Sequence, residues 1–229
     1  MAKIIGIMGD FGTGKSTSAE NLDPATTLYI NYLGTKDLNF KGARKKYKVG
    51  VSDNVVGSNL INSPPASIIP TLVTTIPQLP RFKVAVIDDI SYTMTNEFID
   101  TAKQVGFAKF TNMAVNFKAL ITACEKSPLD WIVIMLHSDP IYNGSEIIGY
   151  KIKTVGKMID SAVRIEGLFS ILLATDVTTG EDGSVRYEFV TNREGIIMAK
   201  SPRGMLEQRM PNDVAEVIKL AEKYYNDED

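Results

Sequence analysis

Short apolar runs alternate along the chain with stretches whose apolar residues recur every three to four positions, a pattern that predicts strands alternating with helices. Lys3-Ile-Ile-Gly-Ile-Met8 is a run of the buried parallel-strand kind. Thr26 to Ile30, Phe82 to Ile87, Trp131 to Leu136 and Gly167 to Ala174 read the same way, and Val185 to Val190 follows a Gly180-Glu-Asp-Gly183 turn that predicts a hairpin. Tyr92 to Glu125 reads as helix broken near Gly106, with Met113, Phe117, Leu120, Ile121 and Cys124 on one face. Asp213 to Tyr225 carries Val214, Val217, Ile218 and Ala221 on one stripe and predicts an amphipathic helix. From Tyr32 to Pro80 the period is lost among Pro64, Pro65, Pro70, Pro77 and Pro80, and loops with one short helix are expected. The alternation implies an α/β fold with a mostly parallel central sheet flanked by helices, ligands binding at the strand C-termini, and a hairpin near the C-terminus.

One loop carries chemistry. Gly9-Asp-Phe-Gly-Thr-Gly-Lys-Ser16 fits GxxxxGK[ST], in which each fixed position has a physical task. Gly9, Gly12 and Gly14 allow backbone conformations closed to other residues, so that successive N–H groups converge on phosphate oxygens. Lys15 supplies a cation for the β- and γ-phosphates, and the Ser16 hydroxyl is placed for Mg²⁺. An apolar strand precedes the loop and a helix is expected from Ser16 to Asn21, its N-terminus favouring an anion. A chance match in a chain of this length would arise roughly once in a hundred. Gly9, Asp10, Phe11, Gly12, Thr13, Gly14, Lys15, Ser16 and Thr17 are therefore the expected nucleotide-binding residues, with ATP and Mg²⁺ as cofactors.

A second element supports the first. The strand ending at Ile87 is followed by Asp88-Asp89, the pattern of a Walker B element, in which the sheet anchors a carboxylate that faces the metal. Ser16 and Asp88 are the expected metal ligands.

Composition sets the bounds. With 229 residues and 44% apolar content the chain suits one α/β domain, 1–229, and neither linker nor repeat interrupts it. A net charge of −2 gives no overall attraction to nucleic acid. Cys124 alone, with a single histidine, excludes a disulfide within the chain and a Cys- or His-rich metal cluster. At its helical position Cys124 reads as a core residue. No signal-like segment and no apolar run of about 18 residues occurs, so a soluble cytoplasmic protein is expected.

In order, the P-loop, KDLNFKG (36–42), VIDDISY (86–92), a strand tipped LHS (136–138), KTVGKMID (153–160), EGLFSILL (166–173) and TNREGIIMAKSPRGML (191–206) make the chain similar to a known group. It resembles the small RecA-like P-loop ATPases of tailed bacteriophages, AAA-type ATP-binding proteins associated with DNA recombination and single-strand annealing. The resemblance covers nearly the whole chain, though only the P-loop is specific by itself. It implies a RecA-like P-loop NTPase, a sensor role for His137 or Ser138, and nucleotide sites completed between subunits of a homo-oligomer. Lys151 and Lys153 resemble the paired lysines that RecA proteins present across that boundary, with Lys200 and Arg203 as other candidates. RecA proteins carry a glutamate at the tip of the strand after the P-loop, where this chain has Ile30-Asn31-Tyr32. Asp89 is the nearest substitute for orienting water, with Glu97 behind it, and slow hydrolysis is expected. Lys15, Asp88, Asp89, His137, Lys151 and Lys153 form the expected catalytic set.

Two uses of the nucleotide stay open. One is an ATPase that assembles on single-stranded DNA with a single-strand-binding protein; the other is an assembly factor or switch that contacts only protein. A small-molecule kinase is a third, and the absence of an arginine-rich lid speaks against it. Lys41, Arg44, Lys45, Lys46 and Lys48, five cations in eight residues flanked by Phe40 and Tyr47, could bind phosphates and stack on a base. Such a cluster also reads as a solvated basic loop.

Overall fold

The computed structural model describes residues 1–34, 37–51, 58–62, 68–155 and 164–227. Its sheet runs β10 (Arg209–Pro211), β9 (Val185–Val190), β8 (Ile171–Thr179), β1 (Lys3–Gly9), β6 (Trp131–Asn143), β5 (Val84–Asp88), β2 (Thr27–Asn31), β4 (Ser58–Asn62), β3 (Lys48–Val51), with β7 (Glu146–Ile152) paired to the outer part of β6. From β8 to β3 every neighbouring pair is parallel. β9 and β10 add antiparallel at one edge.

Side-chain alternation on the central strands feeds two cores. Ile4, Leu28, Ile87, Ile132 and Ile134 face α3 (Tyr92–Asp100) and α4 (Ala108–Glu125), packing with Met94, Met113, Phe117 and Leu120. Ile5, Ile7, Val86, Val133 and Leu173 point the other way, toward Val214, Val217, Ile218 and Ala221 of α5 (Val214–Tyr225). Each such side chain gains about 1.5–3 kcal/mol on leaving water. Asp213 caps α5 by accepting from the Ala215 N–H at 2.9 Å. The helical break falls where expected, at Gly106 with φ 103°. Cys124 lies in the core, and burial pushes its thiol pKa up to about 12, which leaves no thiolate for nucleophilic work.

Three expectations need correction. The helix expected after the P-loop is a single 3₁₀ turn, Thr17–Ala19. Ser16, Thr17 and Ser18 are weak helix formers, the Ser18 hydroxyl bonds back to the Lys15 carbonyl, and Asp23-Pro24 opens a new turn at once. The region from Tyr32 to Pro80 holds more than loops: α1 (Ala43–Lys46), β3, β4, and α2 (Ile68–Pro70) running on through a π turn (Thr71–Thr75) into a 3₁₀ turn (Ile76–Gln78). β3 and β4 lack β-branched alternation because buried Asn59 helps hold them, its amide bonding the Pro24 and Lys46 carbonyls and accepting from the Lys48 N–H. The third correction is that β6 does not end at Ser138. It continues to Asn143 and turns through Gly144, φ 63°, into β7, so residues 139–149 belong to a hairpin. Lys36, and the 156–160 part of KTVGKMID, lie outside the described residues.

Candidate nucleotide site

Parallel pairing brings the strand tips together. Gly9 of β1 is in register with His137 of β6, and Asp88 of β5 with Asn31 of β2. β6 thus lies between the P-loop strand and the acid-tipped strand.

The loop leaving β1 is shaped by its glycines. A Cβ on Gly9 would fall 1.8 Å from Thr175 Oγ1, and one on Gly14 would fall 2.4 Å from Asn212 Nδ2 at a φ of 90°. Both positions need glycine, for space at the first and for space and backbone at the second. The loop is pinned from the C-terminal strands: Thr13 Oγ1 lies 2.6 Å from Thr175 Oγ1, and Asn212 Nδ2 donates to the Gly14 carbonyl at 3.2 Å. Asp10 is exposed and accepts from the Phe11 N–H at 2.7 Å, while the Phe11 ring stands 82% exposed at the loop tip. Thr17 Oγ1 donates to the Asn39 carbonyl.

Lys15 is buried, its ammonium donating to the Gly9 carbonyl at 2.9 Å and the Asp10 carbonyl at 2.6 Å. Asp88 is buried too. Its Oδ2 accepts from the Tyr29 hydroxyl at 2.7 Å, whereas Oδ1 is buried without a hydrogen-bond partner. Burial pushes the Asp88 pKa up, neighbouring Asp89 adds to the rise, and the hydroxyls of Tyr29 and Ser16 oppose it. Asp89 takes a left-handed backbone, φ 58°, and its Oδ1 sits 3.1 Å from His137 Nε2. The His137 N–H donates to Ser91 Oγ, and the Tyr92 ring meets the imidazole edge-on. A cleft of about 720 Å³ opens over Gly12, Gly14, Lys15, Ser16, Asp89 and His137, with Tyr187 and Asn212 on its far wall.

These residues fit Mg²⁺ with a phosphate. Magnesium takes one or two carboxylates and completes its shell with water and phosphate oxygens, and an unpartnered carboxylate oxygen beside a P-loop hydroxyl is that donor set. Ser16 and Asp88 would hold it. Among the described residues no group of three or more His, Cys, Asp or Glu side chains could hold a metal by itself.

Other expected residues lie outside the cleft. Lys151 stands opposite Asp139 on β7; the Lys153 N–H donates to the His137 carbonyl at 2.8 Å, and its exposed ammonium is 3.8 Å from Asp139 Oδ1. Glu97 is far from a water-orienting position: it accepts from Asn116 of α4 and lines a separate groove between α2, α3 and α4. Of the basic cluster, Lys41, Lys45 and Lys48 are exposed, Arg44 pairs with Asp37, and Lys46 donates to the carbonyl of Glu20 at the cleft wall. Tyr47 is buried against Tyr29 and Phe40, so it offers no face to a base.

Tyr29, Thr175, Tyr187 and Asn212 were not evident from sequence. Each is remote from the motifs, and none has a spacing that marks it.

No protein-family model and no curated protein sequence matches the chain. Among solved structures it is similar to the RadB recombinase, at 14% identity over 86% of this chain and 90% of that one, with a TM-score of 0.43. It is also similar to the ATPase DotB of Legionella pneumophila, at 10% identity over 84% of this chain and a TM-score of 0.34, and spans 46% of DotB's length. The chain's own architecture is a mostly parallel sheet with helices on both faces and the GxxxxGK[ST] loop at the tip of β1.

Proposed function

We propose that the chain, as one domain over 1–229, is a Mg²⁺-dependent ATP-binding protein that hydrolyses ATP slowly and works as a homo-oligomer on single-stranded DNA, in phage recombination or annealing. The observation that carries the nucleotide reading is the buried Asp88 carboxylate, with Oδ1 unpartnered and the Ser16 side chain acting on the group, beside a loop in which Gly9 and Gly14 leave no room for a side chain.

On this reading Lys15 exchanges the Gly9 and Asp10 carbonyls for phosphate oxygens, and the loop N–H groups hold the same oxygens. Bound Mg²⁺ would neutralise charge that develops on the phosphates. Asp89, fixed by His137, orients the attacking water and receives its proton, while His137 reports the state of the cleft to β6. Slow turnover follows from β2 ending in Asn31, which supplies no carboxylate, and from the short reach of Asp89. Lys151 and Lys153, outside their own cleft, are proposed to serve a neighbouring subunit's. DNA would meet the exposed cations Lys41, Lys45 and Lys48, with a single-strand-binding protein as partner. No helix among the described residues is long and apolar enough to cross a membrane, and action in the host cytoplasm is part of the proposal.

The test is ATP hydrolysis by pure protein with and without single-stranded DNA at two salt concentrations. Turnover that DNA raises supports the reading. Turnover indifferent to DNA moves the assignment to a protein-only switch, and absence of both binding and turnover removes it.

A further inference from the structure

β2 and β5 lie side by side in parallel, with Tyr29 opposite Val86. Side chains alternate along a strand, so Val86 and Asp88 share a face, and a long side chain at Tyr29 can reach the diagonal neighbour two residues on. It does so: the Tyr29 hydroxyl donates to Asp88 Oδ2 at 2.7 Å, with both residues buried. The ring is held in turn by Tyr47, edge-on at 5.3 Å, and by Phe40 at 6.2 Å. A phenylalanine would fill that aromatic cluster equally well. Among the described residues the hydroxyl bonds to Asp88 alone.

A free carboxylate offers two equivalent oxygens and rotates between them. At Asp88 one oxygen is taken by Tyr29 and the other is buried without a hydrogen-bond partner, and the Ser16 side chain acts on the same carboxyl group. We infer that Tyr29 is a positioning residue for the metal, holding Asp88 so that a single oxygen is presented beside Ser16. The inference rests on the nucleotide reading above. The tyrosine acts through Asp88, as the outer partners of metal ligands do, whose loss costs about 10–100-fold in metal affinity.

The experiment is calorimetric titration of ADP in EDTA and in Mg²⁺, for the parent protein, Tyr29→Phe, Tyr47→Phe and Asp88→Asn with and without Tyr29→Phe. Tyr29→Phe should keep its ADP affinity in EDTA and lose about tenfold or more of the gain that Mg²⁺ confers. Tyr47→Phe, which removes a buried hydroxyl from the same cluster without touching Asp88, should keep that gain. In the Asp88→Asn background Tyr29→Phe should change nothing further. A full Mg²⁺ gain in Tyr29→Phe overturns the inference and leaves the nucleotide reading standing. Loss of affinity in both buffers, or an equal loss in Tyr47→Phe, marks a merely structural role and also overturns it. A parent protein that binds no ADP in either buffer removes the nucleotide reading itself.

Discussion

His137 Nε2 lies 3.1 Å from Asp89 Oδ1, so the strand between the P-loop and the acid-tipped strand is joined to the second acid of the Asp88-Asp89 pair. Asp89 holds a φ of 58°, which asparagine tolerates at least as well as aspartate. Asp89→Asn therefore removes the charge with little change of backbone. Nucleotide affinity should persist while ATP turnover falls by about 10²-fold or more, the usual cost of losing a positioned base. Single-turnover hydrolysis beside calorimetry separates the two, and turnover at the parent rate would place the catalytic carboxylate elsewhere.

Lys15→Ala removes the one cation that the glycine loop itself directs, and ATP affinity should drop at least tenfold, about 1.4 kcal/mol. Ser16→Ala should leave affinity in EDTA near the parent value and weaken its dependence on Mg²⁺. Calorimetry reads both, and unchanged ATP binding by the Lys15 variant would falsify the phosphate assignment.

Asp88 is buried at a cost to the fold. Because burial raises its folded pKa above the unfolded one, the penalty is absent below the ordinary carboxylate range and complete once pH exceeds the raised pKa. Asp88→Asn retains an acceptor for Tyr29 without the charge. In metal-free buffer at neutral pH it should unfold at a higher temperature than the parent, by about 2–4 °C for each kcal/mol relieved. The advantage should shrink as the pH is lowered through the raised pKa. Scanning calorimetry at several pH values tests this, and a lower melting temperature at neutral pH contradicts it.

If Lys151 and Lys153 act across a subunit boundary, two inactive proteins should complement each other. Lys15→Ala mixed with Lys151→Ala/Lys153→Ala pairs some intact loops with intact lysines, and part of the ATPase activity should return. No recovery in mixtures shown to co-assemble would count against shared sites, as would a fully active monomer.

The parts legible in the sequence are those in which one residue type is compulsory or the burial is two-sided. The glycines of the P-loop, the apolar runs of β1, β5 and β8, and the stripe on α5 all announce themselves locally. What escaped notice depends on partners distant in sequence. β3 and β4 are held partly by the amide of Asn59, the 3₁₀ turn after Ser16 reflects hydroxyls that bond back to the loop, and β6 extends past Ser138 because β7 is there to pair with it. At the site, Lys15, Ser16, Asp88 and Asp89 follow from motifs, whereas Tyr29 and Asn212 reach it only through sheet register and the return of the C-terminal strands.

The uninterrupted course of β6 has a mechanical side. From His137 to the turn at Asn143 the ribbon extends six residues, roughly 20 Å at 3.3 Å each, and its partner strand is fastened at the near end where the Lys153 N–H meets the His137 carbonyl. The ribbon's far end, beyond the register shift between Ile141 and Tyr142, takes a twist of its own, while the near end stays tied to the peptide that carries the imidazole.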